Sequence, residues 1–159
     1  MSNSRRELPP SIRAWWPVVA GVAVIVLEST EMLGSNHTSG LLRHLYQTCF
    51  GAVDDTRWEM IHHYIRKCGH FCGYGLLGLL WLRAWRITLP SIRIVACAAL
   101  ALLGTAVVAS CDEFHQSLLP NRTGSPRDVL LDCCGAAVMI AIACLGMRFF
   151  GRGIRHETR

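Results

Sequence analysis

Four stretches of this 159-residue chain carry almost nothing but apolar side chains. The first runs from Ala14 to Leu27, interrupted only by Pro17 and Gly21, and Ser29, Thr30, Met32 and Leu33 prolong it beyond Glu28. The second, Phe71 to Trp85, is broken mainly by glycines and Arg83, and the third, Ile94 to Cys111, only by small residues. The fourth, Val129 to Phe150, holds Asp132 near its start and Arg148 near its end. A helix needs about 20 residues to cross roughly 30 Å of hydrocarbon. The third and fourth stretches reach that length alone, and the first and second reach it with polar-tolerant ends. The first has no small-residue cleavage site ahead of the polar segment that follows, so it reads as a span and not as a removed signal. The segment from Gly34 to Lys67 is polar without being of low complexity. From Thr56 to Lys67, Trp58, Ile61 and Ile65 recur at helical spacing, which predicts a surface helix along the membrane interface. The expected fold is therefore all-α: an integral membrane bundle of four transmembrane helices with an interfacial helix in the first outer loop. Residues 1–13 and 151–159 are expected as short tails around a membrane domain at 14–150.

Composition sharpens this reading. Hydrophobic residues make up 52% of the chain and charged residues 17%, against about 25% charged in a typical soluble domain. A soluble protein this small has too little interior to hide that apolar surface, whereas lipid covers it. Ten of the 16 Lys and Arg fall on one side of the expected topology: Arg5, Arg6 and Arg13; Arg83, Arg86 and Arg93; Arg148, Arg152, Arg155 and Arg159. That bias places both termini in the cytoplasm. The net charge of +5 then belongs to a surface beside anionic lipid, and no nucleic-acid partner is expected. Trp15, Trp16, Trp81 and Trp85 fall at the same interface, where indole rings are favoured. Of eight cysteines, Cys72, Cys97, Cys134 and Cys144 read as small packing residues, while a bridge among Cys68, Cys111 and Cys133 at the outer boundary stays open.

Chemistry collects in two places. Lys67, His70 and Tyr74 share one helical face at the start of the second span, where Gly69 and Gly73 form a small-xxx-small pair suited to close helix approach. Around the turn between the third and fourth spans stand Asp112, Glu113, His115, Gln116, Arg122, Asp128 and Asp132. Asp112 and Gln116 share a face, as do Asp128 and Asp132. Ser125, Pro126 and Asp128 spell a helix start, with Asp128 closing a capping box. Asp132 lies a turn inside an apolar helix, where a lone carboxylate costs roughly 2.5–3.5 kcal/mol at the bilayer centre and less toward the edge.

The pattern Lys67-x-x-His70-Phe71-x-x-Tyr74, then Asp112-Glu113-x-His115-Gln116, then Pro120-x-Arg122 and Asp128, resembles the VanZ-like membrane proteins. The resemblance runs over residues 56–150. It implies four helices and a tie to the bacterial envelope, with a namesake linked to glycopeptide antibiotic resistance, and it supplies no agreed reaction. The family often carries Asn where this chain has Asp132.

Two classes of function suit such a cluster. As a binding protein of the bacterial cytoplasmic membrane, it would hold a lipid-linked envelope precursor or a peptidoglycan stem through Lys67, Tyr74, Gln116, Arg122, Asp128 and Asp132. As a membrane-embedded hydrolase or transferase, Glu113 or His70 would act as general acid or base on a lipid-linked phosphate, with Asp112 orienting the histidine. His70, Asp112, Glu113 and His115 lack a tight metal-ligand spacing, so neither a metal nor a cofactor is expected. Membrane lipids are the remaining expected partners, and the oligomeric state is not legible.

Overall fold

The computed structural model describes residues 9–30, 35–119 and 124–156. It holds five helices and, among the described residues, no strand: α1 (Pro10–Ser29), α2 (Ser35–Phe50), α3 (Asp55–Thr88), α4 (Ile94–Ser117) and α5 (Pro126–His156). α3 is the central element and touches every other helix, whereas α2 packs on α3 alone. The start of α1 lies against the end of α3, and the ends of α1 and α4 meet beside the middle of α3. The four long helices therefore alternate in direction, and the start of α1 and the end of α5 fall at one end.

Among the described residues, three helices are long and apolar enough to cross a membrane: Pro10–Ser29, Ile94–Ser117 and Pro126–Phe149. Four were expected. The stretch beginning at Phe71 is the exception, because Gly73, Gly75, Gly78, Trp81, Trp85, Arg83 and Arg86 dilute its apolar character. The outward faces of the others are apolar to a degree that water would not tolerate: Val19 is 66% exposed, Leu103 63% and Ile142 60%. Lipid is the solvent that suits them, and the chain is a multi-pass membrane protein.

The segment from Thr56 to Lys67 is not a separate surface helix. It is the first third of α3, whose 34 residues extend about 51 Å, well beyond roughly 30 Å of hydrocarbon. Asp54 caps it, accepting from the Arg57 N–H at 2.9 Å, and Leu89 before Pro90 ends it. α2 is the separate helix that precedes it. It closes on Gly51 at φ 89°, the left-handed conformation that glycine adopts without strain, with the Gly51 N–H donating to the Gln47 carbonyl at 3.0 Å. Leu41 and Leu45, one turn apart, stay exposed as an apolar stripe.

α2 is held to α3 through Trp58, whose indole N–H donates to Ser39 Oγ at 2.8 Å and whose ring stacks on His62 at 5.6 Å. Burial first, then the Arg66 charge, lowers the His62 pKa from 6.5. A depressed folded value means that the unfolded chain binds the proton first as pH falls. The contribution of neutral His62 is therefore complete above pH 6.5 and is lost as pH drops below it. Amides of α2 are expected to exchange faster at pH 5 than at pH 7.5, after correction for intrinsic rates, and His62→Gln is expected to flatten that difference.

Close packing rests on small residues. Ala101, Thr105 and Ala109 run along the buried face of α4, each fully buried. A Cβ at Gly78 would come within 2.9 Å of the Ala136 Cβ, and one at Gly135 would strike the Phe71 carbonyl oxygen. The close crossing is therefore α3 on α5 through Gly75, Gly78 and Gly135. The Gly69 and Gly73 pair does not make it, since a Cβ at either meets nothing within 4 Å. In α1, Pro17 has no N–H to give the Arg13 carbonyl, and Arg83 Nη1 donates to that oxygen at 3.1 Å instead. Trp15 locks the same end, packing edge-on against Trp85 at 4.9 Å and donating to Thr88 Oγ1 at 2.9 Å. All eight cysteines are free thiols, so Cys68, Cys111 and Cys133 form no bridge. Cys97 is buried and packs as expected, while Cys72 and Cys134 face outward.

Candidate functional site

Asp112 is the hub. It stands two residues beyond Ser110 on α4 and is 7% exposed, deep enough that an unpaired carboxylate would be costly. Three neutral donors from three helices satisfy it. The Ser29 hydroxyl, at the end of α1, donates to Oδ1. The Tyr74 hydroxyl from α3 donates to Oδ2 at 3.0 Å, and Gln116 Nε2, one turn along α4, donates to the same oxygen at 3.1 Å. One carboxylate thus ties α1, α3 and α4 together at the end of the bundle opposite the start of α1.

Asp132 is buried differently. It has no exposed surface, and neither carboxylate oxygen has a hydrogen-bond partner among the described residues. His70 stands beside it, with Nδ1 3.5 Å from Oδ1, an ion pair when the imidazole carries a proton. His70 therefore faces Asp132, not Asp112 as expected, because Asp112 is turned toward the Tyr74 side of the cluster. The His70 ring also stacks on Tyr74, with centroids 6.1 Å apart.

Glu113 and Asp128 exchange the roles that their positions imply. Ser125 does cap α5, accepting from the Arg127 N–H at 3.2 Å. The carboxylate that should reach back to the Ser125 N–H belongs to Glu113 of α4, at 2.7 Å, and not to Asp128. Gly124 permits this, since a Cβ there would strike the Glu113 carbonyl oxygen. Asp128 is released to pair with Lys67 of α3, both about 30% exposed at the rim.

Eight of the expected site residues therefore converge: Lys67, His70, Tyr74, Asp112, Glu113, Gln116, Asp128 and Asp132. Arg122 lies outside the described residues. Ser29 and Glu28 of α1 were not anticipated as site residues. Two voids adjoin the cluster. A narrow cleft of about 20 Å³, bordered by Glu28, Ser29, Gly69, His70, Gly73 and Asp112, has room for about one water. A groove of about 420 Å³ between α1 and α4 has walls of Val22, Ile25, Val26, Val107 and Val108 and ends on Ser29, Asp112 and His115. Its size is that of a small-molecule site.

Helices with lipid-facing apolar surfaces, closed at one end over a buried polar cluster, define a multi-pass membrane protein of the polar-site type. The model of the VanZ/LLP1 family matches residues 15–148, and the chain belongs to that family. No curated protein and no solved structure matches it.

Proposed function

We propose that this protein binds a lipid-linked envelope ligand in the bacterial cytoplasmic membrane, its polar end facing outward. On this reading the second half of α3 is a fourth span, since α1, α4 and α5 surround it, and the arginine-rich end with both termini lies in the cytoplasm. The observation that carries the proposal is the α1/α4 groove: apolar along its length, open to lipid and ending on Ser29, Asp112 and His115. A soluble peptidoglycan stem has no use for such a groove, whereas an acyl or isoprenoid tail fills it. The cleft beside His70 accepts one hydroxyl or phosphate oxygen, so the bulk of the headgroup rests on the rim, near Lys67 and Asp128.

The test is complementation of a deletion strain, read by membrane abundance, lipid-extract composition and glycopeptide sensitivity. Val26→Trp/Val107→Trp fills the groove from exposed positions and is expected to accumulate normally while failing to restore the lipid profile. Arg122→Lys keeps the charge but loses the planar fork that grips a phosphate through two parallel hydrogen bonds. It is expected to accumulate normally and to lose most of the phenotype. Full complementation by both variants would remove the ligand-binding reading.

A second reading has its own support in the unpartnered Asp132 carboxylate beside His70. A buried carboxylate holding an imidazole that borders a water-sized cleft suits general acid–base chemistry on a lipid-linked phosphate. His70→Gln separates the two readings: a binding protein retains its ligand and its phenotype, and a hydrolase or transferase retains the ligand and accumulates it unconverted.

A further inference from the structure

At the opposite end of the bundle, α3 and α5 leave a second groove, of about 390 Å³. Leu79 and Leu82 form one wall, Ala143 and Met147 the other, and Arg83 and Arg86 stand where the groove nears the end of α3. Positions 79, 82, 83 and 86 share one helical face, so the stripe passes from apolar to cationic along the helix. Both arginines are exposed. Arg83 commits Nη1 to the carbonyls of Arg13 and Ala14, which are neutral acceptors. Arg86 Nη1 rests on the thioether of Met147, a weak acceptor. Among the described residues no carboxylate pairs with either arginine, and none borders the groove.

We propose that this groove is a binding site for an anionic phospholipid, one acyl chain lying between Leu79, Leu82 and Ala143 and the headgroup phosphate bridging Arg83 and Arg86. The apolar walls select a lipid over a free phosphate ester. The two guanidinium groups, paired with no carboxylate among the described residues, select a net negative headgroup over a zwitterionic one, in the manner of basic pockets between membrane helices. Guanidinium donors that remain free match phosphate oxygens in pairs. The site is separate from the polar cluster and stands without it.

Native mass spectrometry of the full-length protein, titrated with phosphatidylglycerol or phosphatidylcholine of identical chains, tests the proposal. Attraction worth about fivefold per basic residue gives roughly a 25-fold preference for phosphatidylglycerol in the wild type. Arg86→Gln is expected to cut that preference about fivefold. Arg83 is left intact because its guanidinium also holds α1. Arg148→Gln, which removes an exposed charge on α5 outside the groove, is expected to leave the ratio unchanged. Equal binding of the two lipids by the wild type would overturn the site. So would an Arg148→Gln loss as large as that of Arg86→Gln, or displacement of phosphatidylglycerol by equimolar glycerol phosphate.

Discussion

Gly135→Leu is expected to abolish accumulation of the protein in the membrane, and Gly135→Ala to reduce it severely. A Cβ on Gly135 is directed at the backbone carbonyl of Phe71, which has no rotamer to retreat into. Relief requires α3 and α5 to separate, and that would loosen the packing of Gly75 and Gly78 as well. Overpacking of this kind costs about 1–3 kcal/mol, and more where the obstructing atom is backbone. Gly69→Ala and Gly73→Ala serve as controls, since a Cβ at either position meets nothing within 4 Å. They should accumulate normally and melt in detergent like the wild type. A Gly135→Ala protein with wild-type abundance and melting temperature would rule out the close α3–α5 crossing.

Asp112→Ala is expected to be the most damaging change in the polar cluster. It strands the Tyr74 hydroxyl and the Gln116 amide at one buried point and breaks the Ser29 contact. Each stranded group costs about 1–3 kcal/mol in a protein interior, and somewhat less where membrane helices find other partners. Tyr74→Phe removes one donor and should cost only about 1 kcal/mol. In a double-mutant cycle, Tyr74→Phe in the Asp112→Ala background should recover part of the loss, because it removes a hydroxyl whose acceptor has already gone. Additive losses would show that Asp112 does not hold Tyr74. Detergent melting of the purified variants reads both values.

Much of this arrangement was legible in the residues. The three longest apolar helices follow from block length alone, and the juxtaposition of Asp112 with Gln116 follows from helical spacing. The convergence of α3, α4 and α5 side chains follows from their shared depth. Other features depend on partners distant in sequence. Ser29 reads as a tolerable polar residue closing a span until Asp112, 83 positions away, is placed against it. The capping box at Ser125 reads correctly in its hydroxyl and wrongly in its carboxylate, because a glutamate from another helix competes for the same N–H. Glycine spacing predicted a close crossing and misplaced it toward the start of α3, since several glycines crowd that helix and only packing decides which of them meet a neighbour. α2 was hidden because its apolar positions are few and lie on an exposed stripe.

Photocrosslinking within the α1/α4 groove tests the ligand site most directly. Benzophenone-alanine placed at Val107, which is 55% exposed in that groove, would be irradiated in intact cells and the adduct released for mass spectrometry. The expected adduct carries an acyl or isoprenoid tail joined to a polar, phosphate-bearing headgroup, and it disappears when Val26→Trp is added. Adducts made only of the membrane's abundant phospholipids, in their bulk proportions and insensitive to Val26→Trp, would contradict a lipid-linked ligand at this end of the bundle.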